Sequence, residues 1–450
     1  MSARENKMGV MPVKKLIVNM ALPMMISMLV QALYNIVDSA FVSKLSEEAL
    51  TAVTLAFPMQ NLMIAFGSGT GVGINALLSK ALGEKEFDRS DAAANTGLLL
   101  TFFNYLLFLL LGLFAAGPFI RSQTGVEQIQ TYGVQYLEIV CCISVGLFFQ
   151  MTFERLLQST GRTMLSMASQ LTGAVINIIL DPIMIFGLLG CPAFGVAGAA
   201  YATVIGQLIG AAIGLTLNLK KNTELHFSMR SILHPSSRVI KQIYFVGVPS
   251  IMMMSIGSVM TYLFNLILGA FSATAQAVFG VYFKLQSFFF MPIFGLNNGL
   301  IPVLAYNYGA RNKKRIEDAL RFALTLAVSI MIVGTVIFES VPDVLLGIFD
   351  ASEQLREMGR PALRIIAIHF PLAGASIALG SVFQAFSKST YSLIISVARQ
   401  LVVLIPVAWL LSLTGVVTNV WWAFPIAEVV SLLISIFLFR KLYNAVVKPL

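Results

Sequence analysis

Charged residues are scarce in this chain. Lys, Arg, Asp and Glu make up 11% of its 450 residues, against roughly 25% in soluble domains, so a water-facing globule is excluded. Cysteine is almost missing: Cys141, Cys142 and Cys191 are odd in number and sit in apolar stretches, which implies neither a disulfide framework nor a metal site. Alternating apolar–polar segments of about ten residues are absent, which removes a membrane β-barrel. The first apolar run lacks an A-x-A-like cleavage site and is too long for a removable leader. What is abundant is apolar: 57% of the residues, with a mean hydropathy of +0.84.

Runs long enough to cross a bilayer, about 20 residues each, recur from end to end. They lie at 16–42, 51–80, 92–118, 129–152, 163–189 and 194–219, then at 240–270, 277–305, 317–341, 359–383, 390–413 and 419–440. The expected fold is therefore an all-α polytopic membrane protein of twelve transmembrane helices. The formal net charge of +9 does not call for nucleic acid. With the N-terminus inside, most Lys and Arg fall on cytoplasmic segments. Only Lys44, Arg121, Arg356, Arg360 and Arg364 fall outside, with Lys284 and Arg399 inside spans. That asymmetry orients the chain with both termini in the cytoplasm, as a multi-pass protein of a prokaryotic plasma or inner membrane.

Sliding the sequence by 226 positions aligns it with itself without a gap. Pro23 meets Pro249, Gln60 meets Gln286, and Gly69 and Gly73 meet Gly295 and Gly299. "ALGEKEFDRS" (81–90) lies over "NYGARNKKRI" (307–316), and "LLQSTGRTM" (156–164) over "VFQAFSKST" (382–390). The chain is thus two copies of a six-helix unit. The expected division is an N-terminal lobe at 1–219, a cytoplasmic linker at 220–239 and a C-terminal lobe at 240–450. An even helix count makes both copies enter from the same side, so a pseudo-twofold axis along the membrane normal relates the bundles. Transporters so built bind substrate between the halves and rock to expose it alternately.

The copies differ in their acids. Asp38 faces Phe264 under this offset, and Asp181 faces Val407. An ionised carboxylate inside a bilayer costs about 2.5–3.5 kcal/mol on insertion scales and is a functional site by default. At ~1.5 Å per residue, Asp38 lies ~35 Å along the first helix and Asp181 ~27 Å along the fifth, so both occupy the outer half. Tyr34 and Asn177 stand one turn before them, and Asn35 and Thr203 add oxygens. Such a cluster suits a proton or Na⁺. Pro23 and Pro182 interrupt helical hydrogen bonding and provide hinges.

Other intramembrane polar groups are candidates for a substrate cavity: Lys284, Gln60, Gln286, Arg399 and Glu428, with Phe264 and Phe283 as aromatic wall. Arg399 and Glu428 are expected at different depths, too far apart to pair simply. His369 reads as a packing histidine, and Glu154 with Arg155 as a solvated pair at a helix end. "GSGTGVG" (67–73) lacks the Lys-Ser/Thr of a phosphate loop and reads as small residues for close helix packing. No nucleophile–base or metal constellation appears, so the chain is expected to be no enzyme and to need no cofactor beyond a coupling ion.

The duplicated twelve-helix pattern, "YNIVDSAFVSKL", the Gly83 loop with its twin at Gly309, "FERLLQSTGRT" and "NIILDPIMIFGL" resemble the multidrug and toxic compound extrusion (MATE) family across essentially the whole chain. The similarity is to the branch whose coupling carboxylates lie in the N-terminal lobe. It implies that Asp38 with Tyr34, and Asp181 with Asn177, line that lobe's cavity, and that Pro23 is the proline around which the first helix bends. It further implies a monomeric antiporter exporting bulky, often cationic drugs against H⁺ or Na⁺, and with it antibiotic resistance. A flippase for lipid-linked oligosaccharide or cell-wall precursor is the alternative. That function would line its cavity with several Arg and Lys to hold pyrophosphate.

Overall fold

A computed structural model describes residues 6–349 and 352–450. Its long helices are α1 (Val13–Ser43), α2 (Glu47–Gly83), α3 (Phe87–Phe114), α4 (Glu127–Cys142 and Val145–Ser159), α5 (Thr163–Phe186) and α6 (Val196–Lys221). The second set is α7 (Ser237–Gly269), α8 (Ala273–Gly309), α9 (Lys313–Ser340), α10 (Glu353–Ala367 and Phe370–Ala385), α11 (Ser389–Ser412) and α12 (Ala423–Leu442). Among the described residues ten spans are long and apolar enough to cross a bilayer. The segments of α4 and of α10, each bent by 45°, bring the total to twelve. The outer faces are apolar as lipid demands: Phe437 is 68% exposed and Phe114 74%.

The duplication holds to the level of single backbone dihedrals. Lys85 and Arg311, 226 apart, are both left-handed (φ 61° and 54°), as are Gly161 and Ser387 (φ 86° and 59°). Each turn closes with a matching backbone bond, Glu86 N–H to the Ala81 carbonyl and Asn312 N–H to the Asn307 carbonyl, both 2.9 Å. Ser46 and Ser272 cap their helices by accepting from the N–H of Ala49 and Ala275. The two broken helices are twins as well, since Glu127 and Glu353 begin them at the same offset. In α10 the break is followed by Pro371, which has no N–H to continue the ladder. The α4 break carries no proline. Within α11 residues Ala398–Leu404 widen to a π-helix just ahead of Pro406, whose missing N–H removes the ordinary bond at that point.

The compact units divide the chain at places other than the expected linker. One comprises Met1–Met25 with Met252–Leu450, the other Ile26–Ile251. Close helix packing explains both crossovers. In the first unit the start of α1 lies on α8, where a Cβ on Gly295 would stand 2.6 Å from the Met25 backbone and one on Gly299 2.7 Å from Ala21. In the second, the start of α7 lies on α2, where a Cβ on Gly73 would meet the Ile243 carbonyl at 2.2 Å. These pairs are the glycines that the sequence aligns, and each permits backbone-to-backbone approach.

Two changes test this reading by thermal unfolding of the detergent-solubilised protein. Ser387→Gly places at φ 59° the residue its twin already uses, and is expected to gain about 1 kcal/mol. Gly73→Ala, with backbone in its way, is expected to lose about 1–3 kcal/mol.

Candidate functional site

Asp38 and Asp181 meet. The two carboxyl groups, from α1 and α5, are buried near each other inside one unit, and the charge of Asp38 acts on Asp181. Asn177, one turn before Asp181, donates from Nδ2 to Thr203 Oγ1 of α6 at 3.2 Å. Tyr34, one turn before Asp38, lies beside the same threonine, and the charges of Asp38 and Asp181 both act on it. Thr203 thus ties α5 to α6 beside the acid pair. Among the described residues no donor reaches Asp38 Oδ1, either oxygen of Asp181, or Asn177 Oδ1. Facing carboxylates in a low dielectric repel unless a proton or small cation lies between them, so the cluster offers acceptors without a matching donor.

The structure amends the expected set in two places. Asn35 is exposed and does not join the cluster. It lies to one side of Asp38 on the helix, and Thr203 and Asp181 approach from the side of Tyr34. Tyr136 of α4 belongs to the cluster although the sequence reading passed over it. Its ring is buried, its hydroxyl accepts from Gln60 Nε2 at 3.0 Å, and the charge of Asp38 acts on it. Gln60, expected to line a substrate cavity, therefore serves this polar group. The signal available was weak: Tyr136 stands one turn after Tyr132 in α4, and Gln60 is followed by Asn61 in α2.

The remaining candidates lie in the other unit. Phe264 is wholly buried, packed against Phe279, Phe424 and Trp421 with ring centroids 4.8, 5.0 and 6.2 Å away, so it is core and lines no cavity here. Phe283 is 38% exposed. Lys284 is exposed, its Nζ 5.9 Å from the centroid of the Phe349 ring, as a snorkelling lysine would be. Gln286 accepts from the Tyr282 hydroxyl at 2.7 Å. Arg399 and Glu428, expected to be separated in depth, form an ion pair at 3.6 Å. That contact sets Glu428 and Arg399 at one level of the bundle. Glu428 and Arg399 both act on His369, whose buried ring packs on Phe424 and Phe290. Glu154 and Arg155 are buried, contrary to the solvated pair expected.

The MatE family model matches residues 23–183 and 249–410. The two matched stretches begin 226 positions apart, which repeats the internal duplication. The chain belongs to the MatE family. It is a multi-pass transporter and not an enzyme. Similar proteins include the multidrug export protein MepA of Staphylococcus haemolyticus (strain JCSC1435), 27% identical over 439 residues, covering 96% of this chain and 94% of that protein. MepA of Staphylococcus aureus (strain MRSA252) is 26% identical over 422 residues, covering 93% and 91%. Among solved structures, an outward-facing multidrug resistance MATE transporter of the MOP superfamily matches with TM-score 0.93 at 26% identity, covering both chains fully (100% each). A MATE structure in the bent conformation matches with TM-score 0.90 at 25% identity, covering 97% of each.

The geometry of this MatE chain's acid pair predicts a trade between stability and function. Asp181→Asn removes one of two facing charges and supplies a donor to Asp38. It is expected to raise the thermal midpoint of the empty protein at alkaline pH, where repulsion is greatest, and to change it little at acid pH. A midpoint below wild type at alkaline pH would show that the carboxylates do not oppose each other.

Proposed function

We propose that this protein is a secondary active multidrug exporter, moving bulky cationic or amphiphilic compounds out of the cell in exchange for H⁺ or Na⁺ by alternating access. The reading is carried by the Asp38–Asp181 pair, which is buried, mutually facing and short of donors, and is replaced by Phe264 and Val407 in the duplicate bundle. The MepA relatives, named as multidrug export proteins, support the substrate class. Two readings of the chain's topology accompany it: both termini in the cytoplasm, from the distribution of Lys and Arg, and function as a monomer.

In this mechanism a cation enters from outside and is held by both carboxylates, with Tyr34, Asn177 and Thr203 orienting them. Its binding neutralises the pair and favours an arrangement of α1 in which drug is released. Drug arriving from the cytoplasm favours the other arrangement. The exchange follows because each ligand binds one state better, and a coupling of about 1–3 kcal/mol suffices for a 5–150-fold effect. Pro23 and Pro182 give α1 and α5 the bend points such a change needs.

The test is efflux of a cationic dye from inverted or right-side-out vesicles with an imposed pH or Na⁺ gradient. Asp38→Asn and Asp181→Asn are each expected to lose gradient-driven efflux by at least about tenfold, or 1.4 kcal/mol in coupling. The gradient that drives wild type identifies the ion. Normal export by both variants would refute the site. Failure of either gradient to move dye, with passage of a lipid-linked sugar instead, would establish the flippase.

A further inference from the structure

The buried face of α5 is polar along most of its length. Thr163, Ser166, Ser169, Gly173, Asn177 and Asp181 recur at the helical period, with Ile185 alone apolar beyond them. Opposite them α4 buries Gln150, Glu154 and Gln158, spaced one turn apart, and α6 buries Thr203, Gly206, Gly210, Gly214 and Asn218. The three helices share a hydrophilic seam. It is tied by Ser169 Oγ donating to the Gly210 carbonyl (2.8 Å), Gln158 Nε2 to Ser166 Oγ (2.9 Å) and Asn218 Nδ2 to the Phe153 carbonyl (3.0 Å).

The seam leads from the acid pair to the end of the bundle that carries the Gly161 turn. Counted from the helix ends at that turn, Asp181 lies ~27 Å in, Asn177 ~21 Å, Gln150 ~13 Å and Glu154 ~7 Å. Each step is between one and two helical turns. Glu154 is 8% exposed, and its Oε1 accepts from Gln150 Nε2 at 3.0 Å. Arg155 is the charged group that acts on it, with its guanidinium donating to Gln158 Oε1 (3.0 Å) and Ser68 Oγ (3.4 Å). The packed helices bring Ser68 of α2, Thr101 of α3, Ser166 and Ser169 of α5 and Asn218 of α6 to this region, none of them titratable.

Between Asn177 and Gln150 the seam is pinched. A Cβ on Gly206 would stand 2.7 Å from the Gly173 carbonyl, and one on Gly210 2.7 Å from the Gln150 amide. In this structure the pinch separates the acid pair from Glu154, as an exchanger that does not leak must do. The duplicate bundle shows that the scaffold does not require the seam. At the same offset Gln150, Glu154, Ser169, Asn177 and Asp181 become Ser376, Gly380, Ile395, Val403 and Val407. The residues nearest the turn stay polar in both copies, as Gln158 and Gln384 illustrate.

We infer that this seam is the route by which a proton leaves the Asp38–Asp181 pair toward the cytoplasm, and that Glu154 is its intermediate acceptor. The inference rests on the antiport proposed above, with the proton as the coupling ion. As the pinch opens, the proton held between Asp38 and Asp181 passes to the Glu154 carboxylate. That group becomes a neutral acid and the aspartate pair regains its negative charge. Glu154 then gives the proton to cytoplasmic water, and no electrons move. A desolvated Na⁺ is a poor occupant of this station, because the neighbours of Glu154 include the donors Gln150 Nε2 and Arg155.

The experiment uses the full chain in liposomes, with wild type, Glu154→Gln, Glu154→Asp and Asp181→Asn. Three readouts are taken: efflux of a cationic dye driven by a pH gradient, dye–dye counterflow, which needs no net proton release, and dye binding by fluorescence titration. Glu154→Gln is expected to slow driven efflux by about tenfold or more while counterflow and binding stay within about twofold of wild type. Glu154→Asp should recover most of the driven rate. Wild-type driven efflux in Glu154→Gln, with Asp181→Asn inactive, overturns the route and leaves antiport standing. Joint loss of binding and counterflow in both Glu154 variants also overturns it, since that is the mark of packing alone. Normal driven efflux in Asp181→Asn would instead remove the antiport reading beneath it.

Discussion

Two like charges held face to face in an apolar bundle are the constraint from which the rest of this structure follows. Asp38 and Asp181 are buried, and three of their four oxygens find no donor among the described residues. Left alone, such a pair opposes folding, because desolvation and repulsion act in the same direction. The Asn177–Thr203 bond holds α5 to α6 without cancelling the charge. The cluster is therefore incomplete as protein, and its completion by a cation changes the energy of one local arrangement of α1 and α5. An exchanger needs that property: the conformation preferred with the ion must differ from the one preferred without it.

Gene duplication supplied two bundles, and the chain has used them differently. What both copies keep is geometry: the prolines at 23 and 249, the close-packing glycines, the left-handed residues at 85 and 311, and the bends in α4 and α10. What they do not share is charge. The second bundle has its own intramembrane acid, Glu428, but Arg399 stands 3.6 Å away and compensates it. Among the described residues, the first bundle has no such cation acting on its aspartates. A compensated pair responds weakly to an arriving proton, whereas an uncompensated one responds strongly, and the proposed coupling therefore uses one bundle.

Much of this was legible in the sequence. Offset 226, the spans, and the two acids with their neighbours one turn back all come from periodicity and helix rise, which are properties of single helices. The misses arise where three helices meet. Asn35 and Tyr34 flank Asp38 on the helix at about 60° and about 40° on opposite sides, and the approach of α6 decides between them. Tyr136 reads as one more large residue in a span until Gln60 is seen across from it. Glu154 and Arg155 sit near a helix end, where charged residues are usually solvated, and only the packing of α2, α3, α5 and α6 around α4 buries them. The pairing of Arg399 with Glu428 depends on how α11 and α12 pack against each other, which counting along single helices does not give. The unit boundaries were invisible for a similar reason: no linker marks Met25–Ile26 or Ile251–Met252.

Those boundaries bear on how an ion at Asp38 could be felt at a distance. The first part of α1 belongs to one compact unit and the part carrying Asp38 to the other, with Pro23 two residues before the change. A proline inside a helix removes one rung of its ladder and lowers the resistance to bending there. The twin helix α7 has the same crossover after Pro249 but carries Phe264, fully buried, where α1 carries its acid. Both helices can therefore flex at equivalent points, yet only α1 reports the charge state of a site. In the antiport proposed, coupling is then a property of position as much as of chemistry: an ionisable group placed beyond the Pro23 bend point turns a local change of charge into a change in the course of α1.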